Sequence, residues 1–102
     1  MLNLTPHPIR VGTKTLPPSG TVARVQTTDV VVGTCTVTGV PIVHRMFGDV
    51  TGLPSDSTRC LVSALILAAV TGRPGVYAPD TGPTAARDDR GQIVAVTRLI
   101  TA

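Results

Sequence analysis

Glycine or proline interrupts this chain about every ten residues, and the stretches between are dominated by Val, Thr and Ile. β-Branched residues favour extended backbone, and Gly and Pro end it, so the pattern predicts short strands joined by tight turns. A first strand is predicted at Leu2–Thr5, stopped by Pro6 and Pro8, and a second at Ile9–Lys14. Leu16-Pro17-Pro18-Ser19-Gly20 reads as a turn, since proline fixes φ and Gly20 accepts a positive one. Thr21–Thr27 follows as a strand, with Val22, Arg24 and Gln26 on one face. Val30–Thr38 and Val40–Phe47 predict a hairpin turning near Thr38-Gly39, with Pro41 marking an edge position or a late start.

The form VTGxP occurs three times, at Val37–Pro41, Val50–Pro54 and Val70–Pro74, at spacings of 13 and 20 residues. Unequal spacing argues against a repeat architecture. Each copy is expected to end an element, with its glycine in the left-handed region and its proline unable to continue.

Ser57–Thr71 carries the one helical signal, through Ala64, Leu65, Leu67, Ala68 and Ala69, with Gly72 and Pro74 as a stop. Ser57 is one possible cap. The preferred reading makes Arg59–Val62 a buried strand and Ser63 the cap of a shorter helix. That helix is apolar on nearly all sides, which calls for cover from the sheet or from another subunit. Val76–Ala78 is a short strand and Pro79–Pro83 a rigid loop. Asp88–Gly91 is a turn between Ala85–Arg87 and a last strand, Ile93–Ile100, whose Val94, Val96, Arg98 and Ile100 are expected to share a face. The class is α+β: mainly antiparallel sheet with one packed apolar helix, in a small single domain spanning residues 1–102.

Composition excludes several function classes. With 42% hydrophobic and 15% charged residues the chain is no disordered tail. Phe47 and Tyr77 are the only aromatics, too few for a base-stacking nucleic-acid platform. Eight Arg, one Lys, six Asp and no Glu give a net charge of +3. That favours anions but lacks the clustered cations of a DNA or RNA polymer binder. The longest apolar run, Leu61–Val70, is half a membrane span, and MLNLTPHPIR lacks the pattern of a signal peptide, so the expectation is a cytoplasmic protein. Cys35 and Cys60 are then expected to stay reduced.

No catalytic constellation is spelled out. Ser63 has no GxSxG context, and a Cys60/His44 nucleophile pair has no supporting signature. Cys35, Cys60, His7 and His44 lack metal-ligand spacing. Asp80-Thr81-Gly82 spells the short motif of aspartic proteases, but Pro83 follows it. What remains is Arg24, Arg87 and Arg98 near rigid turns. With the N–H groups of Ser19-Gly20 and Thr81-Gly82, such forks suit a small anion or nucleotide. A strand Arg98 among apolar residues needs an anionic partner, either a ligand phosphate or an acid such as Asp80. His7, between two prolines, is a polar contact or a positioned chain segment, and His44 a satisfied strand histidine.

Asn3-Leu4-Thr5-Pro6-His7, Pro17–Val25, Leu61–Leu65, Tyr77–Pro83 and Arg87-Asp88 ahead of Gly91–Val94 together resemble small phage-encoded proteins of the Thoeris anti-defence sponge family, first-described type. The resemblance implies a non-enzymatic inhibitor that sequesters cyclic ADP-ribose isomers, with cyclic oligonucleotides at a second site, and needs no cofactor or metal. It also implies dimers assembling into hexamers, acting in the infected host's cytoplasm. Carried onto this chain, Arg24 and Arg98 become phosphate contacts, Asp80 and Thr81 polar contacts and Tyr77, with Phe47 as the other aromatic available, the adenine stacker, with Arg87 and Ser63 completing the ligand set. A phage virion or assembly accessory acting by oligomerisation, and a small nucleotide-processing enzyme, are the alternatives.

Overall fold

The structure is a computed structural model, and it describes residues 1–55, 58–70 and 72–101. Ten strands and one helix alternate along it: β1 (Leu2–Asn3), β2 (Ile9–Val11), β3 (Lys14–Leu16), β4 (Arg24–Thr34), β5 (Pro41–Thr51), β6 (Cys60–Leu61), α1 (Ala64–Ala69), β7 (Val76–Pro79), β8 (Ala86–Arg87), β9 (Ile93–Ala95) and β10 (Leu99–Thr101). A mixed four-stranded sheet in the order β1-β6-β7-β10 forms the centre. β6 runs parallel to β1 and β7, whereas β10 is antiparallel to β7. Three antiparallel hairpins, β2–β3, β4–β5 and β8–β9, complete the molecule. The coarse class is therefore α+β, with a very short helix and a sheet that is not purely antiparallel.

The preferred helix start is borne out, but the strand before it, expected over Arg59–Val62, is only Cys60–Leu61 and Arg59 is exposed. Cys60, Leu61 and Val62 are buried, and the Ser63 hydroxyl accepts the Ile66 N–H at 3.3 Å as N-cap. Ser57, the other candidate, and Thr71, the predicted helix end, lie outside the described residues. Packing on the helix is thinner than expected. Only Ile66 and Leu67 are buried, so one face meets the sheet and Ala64, Leu65 and Ala68 face outward. The core joins these two residues to Leu4, Ala23, Cys60, Val62, Val76 and Ala78. Asn3, Leu61 and Tyr77 are aligned across the sheet one register position along, on its other face.

Each glycine of the VTGxP triplets has a positive φ: 76° at Gly39, 87° at Gly52 and 77° at Gly72. The element-ending reading holds, except that Pro41 opens β5 rather than following its end. Three strand expectations are corrected. Ile9–Lys14 is split by Gly12, at φ 60°, into the arms of a hairpin. The strands predicted at Thr21–Thr27 and Val30–Thr38 merge into one continuous strand, β4, over Arg24–Thr34, with the pairing irregular where Gly48-Asp49 of β5 oppose Gln26 and where Val32 is the extra residue on β4. The last strand breaks after Ala95. Val96 turns inward to bridge Val11 and is buried, while Val94 and Ile100 are exposed, so the four residues share no face.

β4 and β5 form a ribbon of eleven residues per strand, roughly 35 Å long. It is anchored only at its base, where the paired Val25 and Val50 pack against the core. Beyond them every residue of both strands is exposed. Midway, Arg45 Nε and Nη2 reach Asp29 at 2.8 and 3.0 Å across the ribbon, which holds the Asp29 carboxyl below its ordinary range.

Candidate functional site

The loop after β7 is organised by its first residue. Asp80 is buried, and its Oδ1 accepts the Gly82 N–H at 3.0 Å. Its Oδ2 accepts the Thr84 hydroxyl at 3.3 Å and Arg98 Nε at 2.5 Å. The Arg98 bond, then the Gly82 N–H, hold this carboxyl below its usual range against the opposing effect of burial. Asp80 N–H also donates to the Arg98 carbonyl at 3.1 Å. The anionic partner demanded by Arg98 is thus Asp80. Arg98 itself sits in the break between β9 and β10 with its side chain 64% exposed.

Arg87 closes the same loop from the far side, donating to the Gly91 carbonyl at 2.9 Å and the Thr81 carbonyl at 3.0 Å. Asp80, Thr81, Arg87 and Arg98 are therefore brought together. Arg87 is engaged through both terminal nitrogens and the Gly82 N–H by Asp80, whereas Arg98 is engaged through Nε alone and its terminal nitrogens have no partner among the described residues. The Ser19 N–H is engaged too, donating to the Asn3 carbonyl at 2.9 Å. Neither turn is the open pair of N–H donors that an anion nest requires. Ser63 caps α1, Tyr77 is half-buried in the central sheet, and Arg24 is exposed at the start of β4 with no partner among the described residues.

Beside the Asp80 loop lies an open hollow of about 280 Å³, lined by Pro8, Ile9, Arg10, Pro79, Thr81 and the strand segment Ile93–Val96. Its floor is fixed where Val96 N–H donates to the Arg10 carbonyl and Gly12 N–H to the Val96 carbonyl, both at 2.9 Å. Arg10 Nε donates to the Gly12 carbonyl at 3.3 Å, and its terminal nitrogens have no partner among the described residues. A mostly apolar lining with Arg10 and Thr81 among its residues suits a flat apolar group bearing an anion. Sequence reasoning passed over Arg10, whose signal was a cation following the stiff Pro6-His7-Pro8 segment.

The Asn3–His7 segment at the N-terminus is braced from within the fold. Asn3 Nδ2 donates to the His7 carbonyl at 2.8 Å and the Leu16 carbonyl at 2.9 Å. Its Oδ1 accepts the Thr5 N–H at 3.0 Å and the Thr5 hydroxyl at 2.6 Å. Cys35 and Cys60 are separate free thiols, one in the ribbon's turn and one in the core. Burial pushes the Cys60 thiol up, whereas the Thr38 hydroxyl, then nearby backbone N–H groups, pull Cys35 down. Among the described residues no three His, Cys, Asp or Glu side chains gather as for a metal ion, and no helix is long and apolar enough to cross a membrane. No family model matches the chain, nor does any curated protein or solved structure.

Proposed function

We propose that this chain is a self-associating, non-catalytic binding protein that sequesters a small cyclic nucleotide, the anti-defence role its sequence resemblance implies. The observation supporting a ligand of this type is the hollow beside the Asp80 loop, mostly apolar in its lining and bordered by Arg10, whose terminal nitrogens have no partner among the described residues. At about 280 Å³ it lies just below the roughly 300–1,000 Å³ of ordinary ligand pockets.

Titration calorimetry with cyclic ADP-ribose isomers and with cyclic di- and trinucleotides tests the reading. One of them is expected to bind and to be recovered unaltered when the complex is denatured. Arg10→Ala is expected to weaken binding about 30-fold, the loss of one charge-assisted contact of about 2 kcal/mol. Absence of binding to every nucleotide, or recovery of a processed product, refutes it. In the first case the favoured reading becomes an assembly accessory acting through self-association, which the exposed β4–β5 ribbon supports.

A further inference from the structure

The chain has more surface than its mass accounts for. A compact chain of 10.5 kDa exposes about 5,400 Å² and has a radius of gyration of about 13 Å. Here the values are 6883 Å² and 16.2 Å. The excess of about 1,500 Å² exceeds the roughly 800 Å² that each partner buries in an ordinary stable interface.

Its source is the β4–β5 ribbon. Nine of the fifteen large apolar side chains that are exposed lie between Val30 and Phe47. They occupy both faces: Val31 lies opposite Val43 on one, and Val30 opposite His44 on the other. Both edges of the ribbon are also unpaired among the described residues. A two-stranded hairpin in water is marginal, and open edges with apolar side chains invite strand pairing or face packing.

The charge pattern favours an uncharged occupant, which a second copy of the same strip supplies. Residues 30–44 contain no Asp, Glu, Lys or Arg, and the flanking Asp29 and Arg45 neutralise each other. A charged polymer or an anionic lipid surface finds nothing complementary there. An identical neutral strip meets no repulsion, although the chains as wholes carry +3 each. An isologous contact, the same surface on both partners, is the arrangement most homodimers use.

We propose that the β4–β5 ribbon is the homodimerisation arm of this protein, packing on the same ribbon of a second copy. The inference deepens the self-association in the function proposed above but is independent of the ligand.

Light scattering of the full chain across 1–100 µM decides it. Wild type is expected at twice 10.5 kDa or more. Val31→Lys or Val30→Lys, one on each face, is expected to raise the dissociation constant at least tenfold, with the thermal unfolding transition retained. Donor and acceptor dyes attached at Cys35, in the ribbon's turn, are expected to show energy transfer when labelled chains are mixed. A wild-type monomer at 100 µM overturns the inference. So does an oligomer that both lysine variants leave intact while Leu65→Lys, on the exposed helix face, dissociates it. A wild-type monomer that still binds a cyclic nucleotide overturns the arm and leaves the ligand standing.

Discussion

Replacing Asn3 tests whether the N-terminal motif is a brace or a ligand contact. Asn3 is 1% exposed and uses both ends of its amide, holding the chain's first turn closed and tying it to the end of β3. In Asn3→Ala the His7 carbonyl keeps the Thr5 hydroxyl as donor at 3.1 Å. The buried Thr5 N–H loses its acceptor, and the Leu16 carbonyl loses the side-chain donor. An orphaned buried N–H costs about 1–3 kcal/mol, and a carbonyl that water reaches at half-buried Leu16 adds about 1 kcal/mol. The expected loss is about 3 kcal/mol, a large share of the ~5–15 kcal/mol that holds a domain of this size. With a urea slope of about 2 kcal/mol/M the unfolding midpoint falls by about 1.5 M, followed by far-UV circular dichroism. Asn3→Asp is the sharper variant. Its carboxylate faces two carbonyl oxygens it cannot donate to, so at pH 7 it destabilises at least as much as alanine. Burial against those carbonyls raises the folded carboxyl's value, so part of that loss returns as pH falls through it towards the unfolded value of about 4, where the protonated acid regains one donor. An Asn3→Ala midpoint within ~0.3 M of wild type refutes the bracing role.

Three further outcomes follow from other positions. Because the Asp80 carboxyl is held below its ordinary 3.8, its contribution is fully present above that value and is lost as pH falls through the lower folded value. Acid unfolding curves of Asp80→Asn are therefore expected to be flatter below pH 4 than wild type; an unchanged acid limb refutes this. Gly52→Ala meets the Val22 carbonyl oxygen at 2.8 Å at a φ of 87°, whereas Gly39→Ala meets open space at a φ of 76°. The Gly39 change is expected to cost about 1–2 kcal/mol and the Gly52 change at least ~1 kcal/mol more, by urea unfolding; equal costs refute the clash. A thiol reagent at pH 7.5 is expected to modify Cys35 within minutes and Cys60 only after unfolding, and Thr38→Val is expected to slow the Cys35 reaction. Equal rates at the two thiols contradict it.

Local rules carried the sequence reading where they act within a few residues. The positive φ of Gly39, Gly52 and Gly72, the Ser63 cap and the Asp88–Gly91 turn are all short-range features. Pairing partners were not legible, because strand order depends on contacts distant in the chain. The parallel pairing of β1 with β6 joins Leu2 to Cys60, and no local pattern announces it. The break after Ala95 was hidden for the same reason. Val96 leaves its alternation because Arg10 and Gly12, some eighty residues earlier, supply its backbone partners. At the site, the turn chemistry around Asp80 was visible, and Asp80 was named as one of two partners for Arg98. That Arg10 borders the hollow depends on β2 meeting Val96, which only the folded chain shows.

The Asp80–Arg98 contact doubles as a neck. Main chain and side chains join the two residues at one point of the central sheet, so residues 81–97 leave and return through a single closure. A loop closed in this way behaves as a cassette, free to lengthen at the Asp88–Gly91 tip without altering the spacing of β7 and β10. Its remaining tether is the backbone contact of Val96 with β2. The hollow's far wall thus belongs to a unit closed on itself, and amide exchange faster there than in β6 and β7 is the expected signature of its opening apart from the main core.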